Sequence, residues 1–348
     1  MTIRRVAVAT VSAIVVIAAV AWVAGSAEAA KPDGPFTRAA TGTVFFPNPV
    51  QQTGNQGLTD DSDADSAAFA SSYRLVTLTN LDDSGKLVGA YVRVKSTTGK
   101  PATAVNGAFP NVHRDSDQFE QVMGYYWVTT AQLYLQHLGF GSARRPVNQR
   151  QIELRIDQFG GDNSFFRDDK ANITLGKGGV DDAEDAEVII HEYGHSVHDG
   201  QVPGFGTTLE SGAIGEAFGD YLAVVVTSWA AGAPSATPEA CVADWDSTSY
   251  TAATPHCLRR LDGNKHYPEN LRGEVHADGE IWSRALWDIR TALGDDRATT
   301  LIVEAQFDFA VDTTFAAAAN STVEAGRRLY GDAVADTVRA AFQARGIL

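Results

Sequence analysis

The sequence predicts an α+β fold, a β-rich first lobe followed by a helical second lobe. Two observations carry this reading. Gly42 to Asn111 is filled with short extended runs broken by turn residues, whereas the segments after Val188 carry apolar residues at helical spacing. With 348 residues, 44% hydrophobic and 20% charged, the chain can bury a sizeable core in one large or two ordinary domains.

The elements follow in order. Lys31-Pro32-Asp33-Gly34-Pro35 belongs to a leader or linker over 30–41. Tyr73 to Leu78 and Leu87 to Val94 read as strands flanking Asp82-Asp83-Ser84-Gly85, a hairpin signal. Ahead of them, Asp60-Asp61-Ser62-Asp63-Ala64-Asp65 resembles the start of a calcium loop. Ser66 stands where the required glycine would be and Ser72 where the closing glutamate would be, so a solvated acidic turn is the expectation. A calcium site of another kind stays open. Phe119, Val122, Met123, Tyr126, Ala131 and Leu135 mark a helix over 117–138, stopped by Gly139, with its aromatic residues in the core. Gln151 to Asp157 alternates as a strand. Ile173-Thr174-Leu175 and a glycine-rich turn lead to a helix whose acidic first turn is Asp181 to Glu187. The helix that begins near Gly212 runs to Trp229, and further helices are expected around 281–293, 299–308, 315–330 and 333–345.

The chemistry lies in His191-Glu192-Tyr193-Gly194-His195. On a helix, positions i and i+4 share a face, so the two imidazoles converge on one point while Glu192 leans over it as a proton acceptor. That is the minimal equipment of a zinc peptidase. A catalytic zinc needs a third protein ligand, and Gly212 to Tyr221 supplies Glu216 and Asp220, again four apart in apolar surroundings. Glu216 suits the metal and Asp220 the far nitrogen of a ligand histidine. His198 is a poorer third ligand, because seven residues of helix rise about 10 Å. It reads as a polar residue at the helix end, before a stop at Asp199-Gly200. Gln201 occupies the place where a metzincin would carry its third histidine.

With these residues the chain resembles the gluzincin metallopeptidases, the thermolysin-like and fungalysin-like families, in which His-Glu-x-x-His is followed by Gly-x-x-x-Glu-x-x-x-Asp. The resemblance runs from about Asp117 to the C-terminus, strongest over 188–221 and 273–289. It implies a two-lobe fold with the zinc site between a β-rich N-terminal and a helical C-terminal lobe. It also implies His191, His195 and Glu216 as ligands of one Zn²⁺, Glu192 as general base and Asp220 as orienting carboxylate. Asn163-Ser164-Phe165-Phe166 looks like the family's edge-strand segment that holds substrate backbone, with Asn163 and Ser164 as substrate-binding residues. His276, in Gly273-Glu274-Val275-His276, looks like its oxyanion-stabilising histidine. Two departures stand out. Leu271 replaces the aspartate that thermolysin-like enzymes carry five residues before that histidine, leaving Glu269, Glu274 and Asp278 as candidates to orient it. Thr207 replaces the assisting tyrosine.

The ends and cysteines place the chemistry. Arg4-Arg5, an apolar run from Val6 to Ala24 and Ala27-Glu28-Ala29 read as a signal peptide over 1–29, the alternative being an N-terminal membrane anchor with the protein facing outside. Export makes a disulfide between Cys241 and Cys257, the chain's two cysteines, the economical inference. A net charge of −15, one unit more negative once the leader is removed, argues against nucleic acid or an anionic membrane as partners. The sequence therefore predicts a secreted monomeric endopeptidase that hydrolyses protein or peptide substrates through a zinc-activated water. Its peptidase domain would span 114–348, after a β-rich region at 42–113 that is a propeptide or an accessory unit. The alternative is a secreted binding or scaffold protein with a degenerate structural zinc site.

Overall fold

The computed structural model describes residues 36–96 and 99–348; the leader read at 1–29, its anchor alternative and positions 30–35 of the linker lie outside the described residues. The first lobe is organised by helix α2, Asp117–His137, which Ser116 caps by accepting from the backbone N–H of Gln118. The fully buried side chains of Phe119, Tyr125, Trp127 and Tyr134 line it. On one side it supports the antiparallel pair β1 (Arg38–Phe45) and β2 (Tyr73–Leu81). The Phe45 ring lies 4.8 Å from that of Phe119 and 4.9 Å from that of Tyr73. The short helix α1, Pro49–Thr53, follows β1.

Against another side lies a four-stranded sheet in the order β3 (Val92–Ser96), β4 (Ile152–Phe159), β6 (Asn172–Gly176), β5 (Phe165–Arg167). β3, β4 and β6 run parallel, and β5 closes the edge antiparallel to β6. The hairpin expected at 82–85 is corrected here. The turn exists, with Ser84 N–H donating to Asp82, but the second run returns along the first only at its start, where Asp82 N–H donates to Val88 O and Ala90 N–H to Asn80 O around a bridge between Leu81 and Gly89. β2 pairs with β1, and β3 begins at Val92 to pair in parallel with β4. Alternation fixes which face a residue takes and leaves its partner open; burial of Val92 beneath α2 decides it.

The second lobe holds α3 (Ala186–Gln201), α4 (Leu209–Ala231), α5 (Val275–Leu293), α6 (Asp295–Gln306), α7 (Phe315–Tyr330) and α8 (Asp332–Gln343). Between α4 and α5, two-residue strands β7 (Cys241–Val242) and β8 (Arg259–Arg260) pair, and Cys241 is disulfide-bonded to Cys257. One apolar cluster runs from Ala40 to Ile347, so residues 42–113 share a core with the rest of the chain. No helix among the described residues is long and apolar enough to cross a membrane.

Of the acidic stretch Asp181 to Glu187, only Glu187 falls in the first turn of α3. The helix starts at Ala186 with Asp185 as its cap, after a single 3-10 turn at Asp182–Glu184. The physical reason is that these carboxylates are claimed from inside. Glu184, fully buried, accepts from the buried Arg114 guanidinium and from Trp245 Nε1. Asp185 accepts from Asn48 Nδ2 and from the backbone N–H groups of Trp245 and Asp246. The acidic turn at 60–65 is likewise only partly solvated, since Asp60 pairs with Arg114, and Asp65 accepts from Tyr73 and meets His113.

Candidate active site

Helices α3 and α4 cross where Gly194 faces Gly219. A Cβ on Gly194 would stand 2.9 Å from the Gly219 Cα, and one on Gly219 would stand 2.6 Å from His191 Nδ1. Any side chain there would drive the helices apart, so two glycines inside the two motifs set the distance at which their polar groups meet. α4 starts from a reciprocal cap between Thr208 and Ser211, which places Glu216 two turns inside it.

At the crossing, His191 Nε2 lies 3.1 Å from Glu216 Oε2, and His195 Nε2 lies 3.6 Å from Glu216 Oε1. The two histidine rings stand edge to face, 4.9 Å between centroids. His191 Nδ1 meets Asp220 Oδ1 at 2.8 Å. Asp220 is held in turn by Arg259, whose Nε reaches Oδ2 at 2.6 Å and Nη2 reaches Oδ1 at 2.7 Å. This bidentate clamp fixes the plane of the carboxylate that orients His191. Arg259 was invisible in the sequence. It lies 39 residues after Asp220, and what presents it is strand β8, placed by the Cys241–Cys257 bridge beside it.

The donor set calls for a cation at its centre. Desolvation works against charging His191, yet its bonds to Asp220 and Glu216 outweigh that and hold its pKa up at about 10. Desolvation brings His195 down to about 4, leaving it a neutral donor near pH 7. Glu216 stays ionised: burial would raise it, but its interactions with the neighbouring His195 and His191, including the His191 hydrogen bond, keep it below the usual range. Two imidazole nitrogens and one ionised carboxylate converging here fit Zn²⁺, which would take the place of the proton His191 otherwise keeps. Glu192 stands beside them, 6% exposed, with Oε2 accepting no hydrogen bond, and desolvation pushes its carboxyl up to about 7.

These groups open on a cleft of about 440 Å³ whose lining includes Asn163, Phe166, Val188, Phe205, Arg259 and His276. Asn163 is exposed at the start of edge strand β5. The Ser164 hydroxyl is committed inward, donating to Asp182 and accepting from the backbone N–H of Gly176. His276 sits in the first turn of α5 with its Nε2 3.2 Å from Glu216 Oε2. Of the three carboxylates open to it, Glu274 is the one that reaches: its Oε1 lies 2.6 Å from His276 Nδ1, while Oε2 accepts from the Ala277 N–H. Asp278 is spent on the N–H groups of Arg272 and Gly273. A carboxylate thus reaches the His276 ring from two residues before it, while position 271 is Leu.

A model of the fungalysin metallopeptidase family matches residues 174–347, half of the chain and all of this centre but Asn163 and Ser164. The chain belongs to that family. It is a zinc metallopeptidase, and its substrates are proteins or peptides. No curated protein gives a significant match. Among solved structures, the precursor of protealysin, a metalloproteinase from Serratia proteamaculans, shares the fold at a TM-score of 0.54 and 15% identity, covering 77% of this chain and 92% of that one. The M1 zinc metallopeptidase of Deinococcus radiodurans is more distant, with a TM-score of 0.41 and 13% identity over 88% of this chain and 62% of that one.

His198 lies in the last turn of α3, as expected, but inside the core: it is 2% exposed, lies 4.5 Å from Phe205 and 4.6 Å from Phe218 between ring centroids, and neither ring nitrogen has a partner. The helix continues past it to Gln201. Desolvation depresses its pKa to about 3. An unfolded histidine takes up its proton near pH 6.5. The unfolded state thus binds the proton first, and stability falls as pH drops from about 6.5 towards 3. We expect His198→Leu to flatten the decline of Tm between pH 6.5 and 4.5 without lowering zinc content. An unchanged pH slope would show that His198 is not one of the groups behind acid lability.

Proposed function

We propose that the protein is a secreted zinc endopeptidase in which His191, His195 and Glu216 hold the metal and Glu192 is the general base. The observation that carries this reading is the buried Glu192 carboxylate, whose Oε2 has no donor although it stands beside His191 and His195, which converge with Glu216. A purely structural metal site needs no proton acceptor at that place.

Zinc in this site would supply Lewis-acid chemistry, polarising a peptide carbonyl and acidifying a water. The chain's own residues do the rest. Glu192, with its pKa at about 7, is poised to accept a proton from the attacking water and return it to the leaving nitrogen. His276 Nε2 points into the cleft as a hydrogen-bond donor for the carbonyl oxygen as it gains charge, and Glu274 fixes the ring by accepting at Nδ1. Asp220, clamped by Arg259, does the same for His191. The free edge of β5 offers backbone groups to an extended substrate, with Asn163 at its start. Since Ser164 turns its hydroxyl inward, only its main chain serves substrate in this reading.

The proposal extends to the ends of the chain. Residues 1–29 are a signal peptide and 114–348 the catalytic domain, and the protein acts as a monomer; the linker expected over 30–41 ends sooner, because residues 38–41 already pair with β2 as the start of β1. For 42–113, the in-register pairing of β3 with β4 and the shared core favour an integral accessory part over a removable propeptide. Zinc quantification beside casein hydrolysis, with and without a chelator, tests the whole; casein left intact by the zinc-loaded protein would overturn it.

The His276 assignment has its own test. A donor aimed at the developing oxyanion helps the transition state more than bound substrate. His276→Ala should therefore lower kcat by about 10²-fold with little change in KM, zinc remaining bound. Glu274→Gln, which keeps an oxygen for the helix cap, should cost about tenfold by the same measure. Wild-type kcat in both variants would reduce His276 to a capping residue.

A further inference from the structure

Outside the cleft, three carboxylates meet in the interior of the first lobe. Glu120 on α2, Asp157 in β4 and Asp181 ahead of α3 bring one oxygen each to within 4.8 Å of the others. The residues are 2%, 6% and 6% exposed. Oxygens that ligate calcium lie 2.3–2.6 Å from the ion, so two of them stand at most about 5 Å apart, and this triangle has the right size. Glu120 Oε2 accepts no hydrogen bond, and the Asp181 side chain does not cap the turn it precedes. A fourth carboxylate, Asp63, approaches from the 60–65 turn near enough to interact electrostatically with Asp157 and Asp181.

The nearest cation is already engaged. Arg114 donates to Glu184 and Asp60, leaving Asp63 at 3.9 Å. Without a cation of their own, buried carboxylates this close repel, and burial together with the neighbouring carboxylates raises Glu120 well above its ordinary range and Asp181 to about 9. The backbone is shaped to bring them in: Asp61, Ser62 and Asp63 have φ of 50°, 56° and 63°, and Asp157 has 55°. These left-handed conformations are costly for residues other than glycine.

We propose that Glu120, Asp157 and Asp181 bind one calcium ion, with Asp63 at its margin, clamping the 60–65 turn, α2 and the approach to α3 together. An all-oxygen set favours a hard cation over zinc, and ligands drawn irregularly from separate segments suit calcium better than the octahedral demand of magnesium. The ion would sit directly behind the segment that caps the catalytic helix, so cation binding would stiffen the lobe that carries the edge strand. A second acidic group, half-buried Asp162 with buried Asp182 and Asp246, reaches the cleft through the latter two and is partly served by the Ser164 and Tyr250 hydroxyls. It provides the control.

The zinc-loaded protein, freed of calcium, is titrated with calcium chloride while bound calcium and Tm are measured. We expect one calcium per chain at this site and a rise in Tm of about 5 °C at a hundredfold excess over Kd, with magnesium giving much less. Glu120→Gln and Asp181→Asn should lose that rise, and Asp246→Asn should keep it. Both of the first two variants relieve repulsion and so should fold without calcium. If calcium leaves the wild-type Tm unchanged while Glu120→Gln raises it, the three carboxyls share protons and the proposal is overturned. Loss of the response in Asp246→Asn but not in Glu120→Gln overturns it as well. Neither result touches the peptidase reading.

Discussion

Glu192→Gln should keep its zinc and its fold while losing at least ~10² in kcat, the low end expected when a general base is removed. The substitution keeps the shape of a side chain that is 6% exposed, so packing gives no reason for loss. What it removes is proton capacity. Desolvation pushes the Glu192 carboxyl up to about 7, where it can both accept and return a proton near neutral pH, and an amide can do neither. Burying an amide in place of an ionisable carboxyl should leave Tm unchanged or slightly higher. Three measurements check this together: kcat on a peptide substrate, bound zinc, and Tm. Near-wild-type kcat with zinc bound would sink the assignment of Glu192 and, with it, the reading of its unpartnered oxygen as a functional feature.

What could be read in the sequence was what short-range periodicity encodes. His191 with His195, and Glu216 with Asp220, are each one helical turn apart, so their convergence followed once the segments were read as helices, and the α3–α4 crossing brings the pairs together. The long helix α2 and the strand β4 were legible for the same reason. Contacts made by tertiary packing were not. Nothing local announces that Arg259 clamps Asp220, nor that β2 turns to β1 rather than to the run after the turn. The orienting carboxylate of His276 had been narrowed to three candidates, and only the cap geometry of α5 separated Glu274 from Asp278. The acidic stretch before α3 misled because charge at a helix start is usually solvated. Here Arg114, Asn48 and Trp245, all distant in sequence, draw it inside. His198 stands in the last turn of α3, as its position implied, but nothing local announces the two phenylalanines that close over it.

Glu216 should be the residue whose loss empties the metal site. It is the one anionic member of the donor set, within 3.1 Å of His191 Nε2, 3.6 Å of His195 Nε2 and 3.2 Å of His276 Nε2. Replacing it by Ala takes away both a zinc ligand and the charge that keeps three nitrogens together. A catalytic zinc rests on three protein ligands. Glu216→Ala should therefore be purified with most of its zinc missing and with activity near background, regained only in part at high added zinc. Because the side chain is partly exposed at the cleft, the helices should stay packed through Gly194 and Gly219, and Tm should fall modestly. His198→Ala gives the contrast. It opens a cavity between Phe205 and Phe218 and should lower Tm, yet zinc content should remain at one per chain. Zinc retained in Glu216→Ala and lost in His198→Ala would transfer the third ligand to His198 and break the mechanism at its metal.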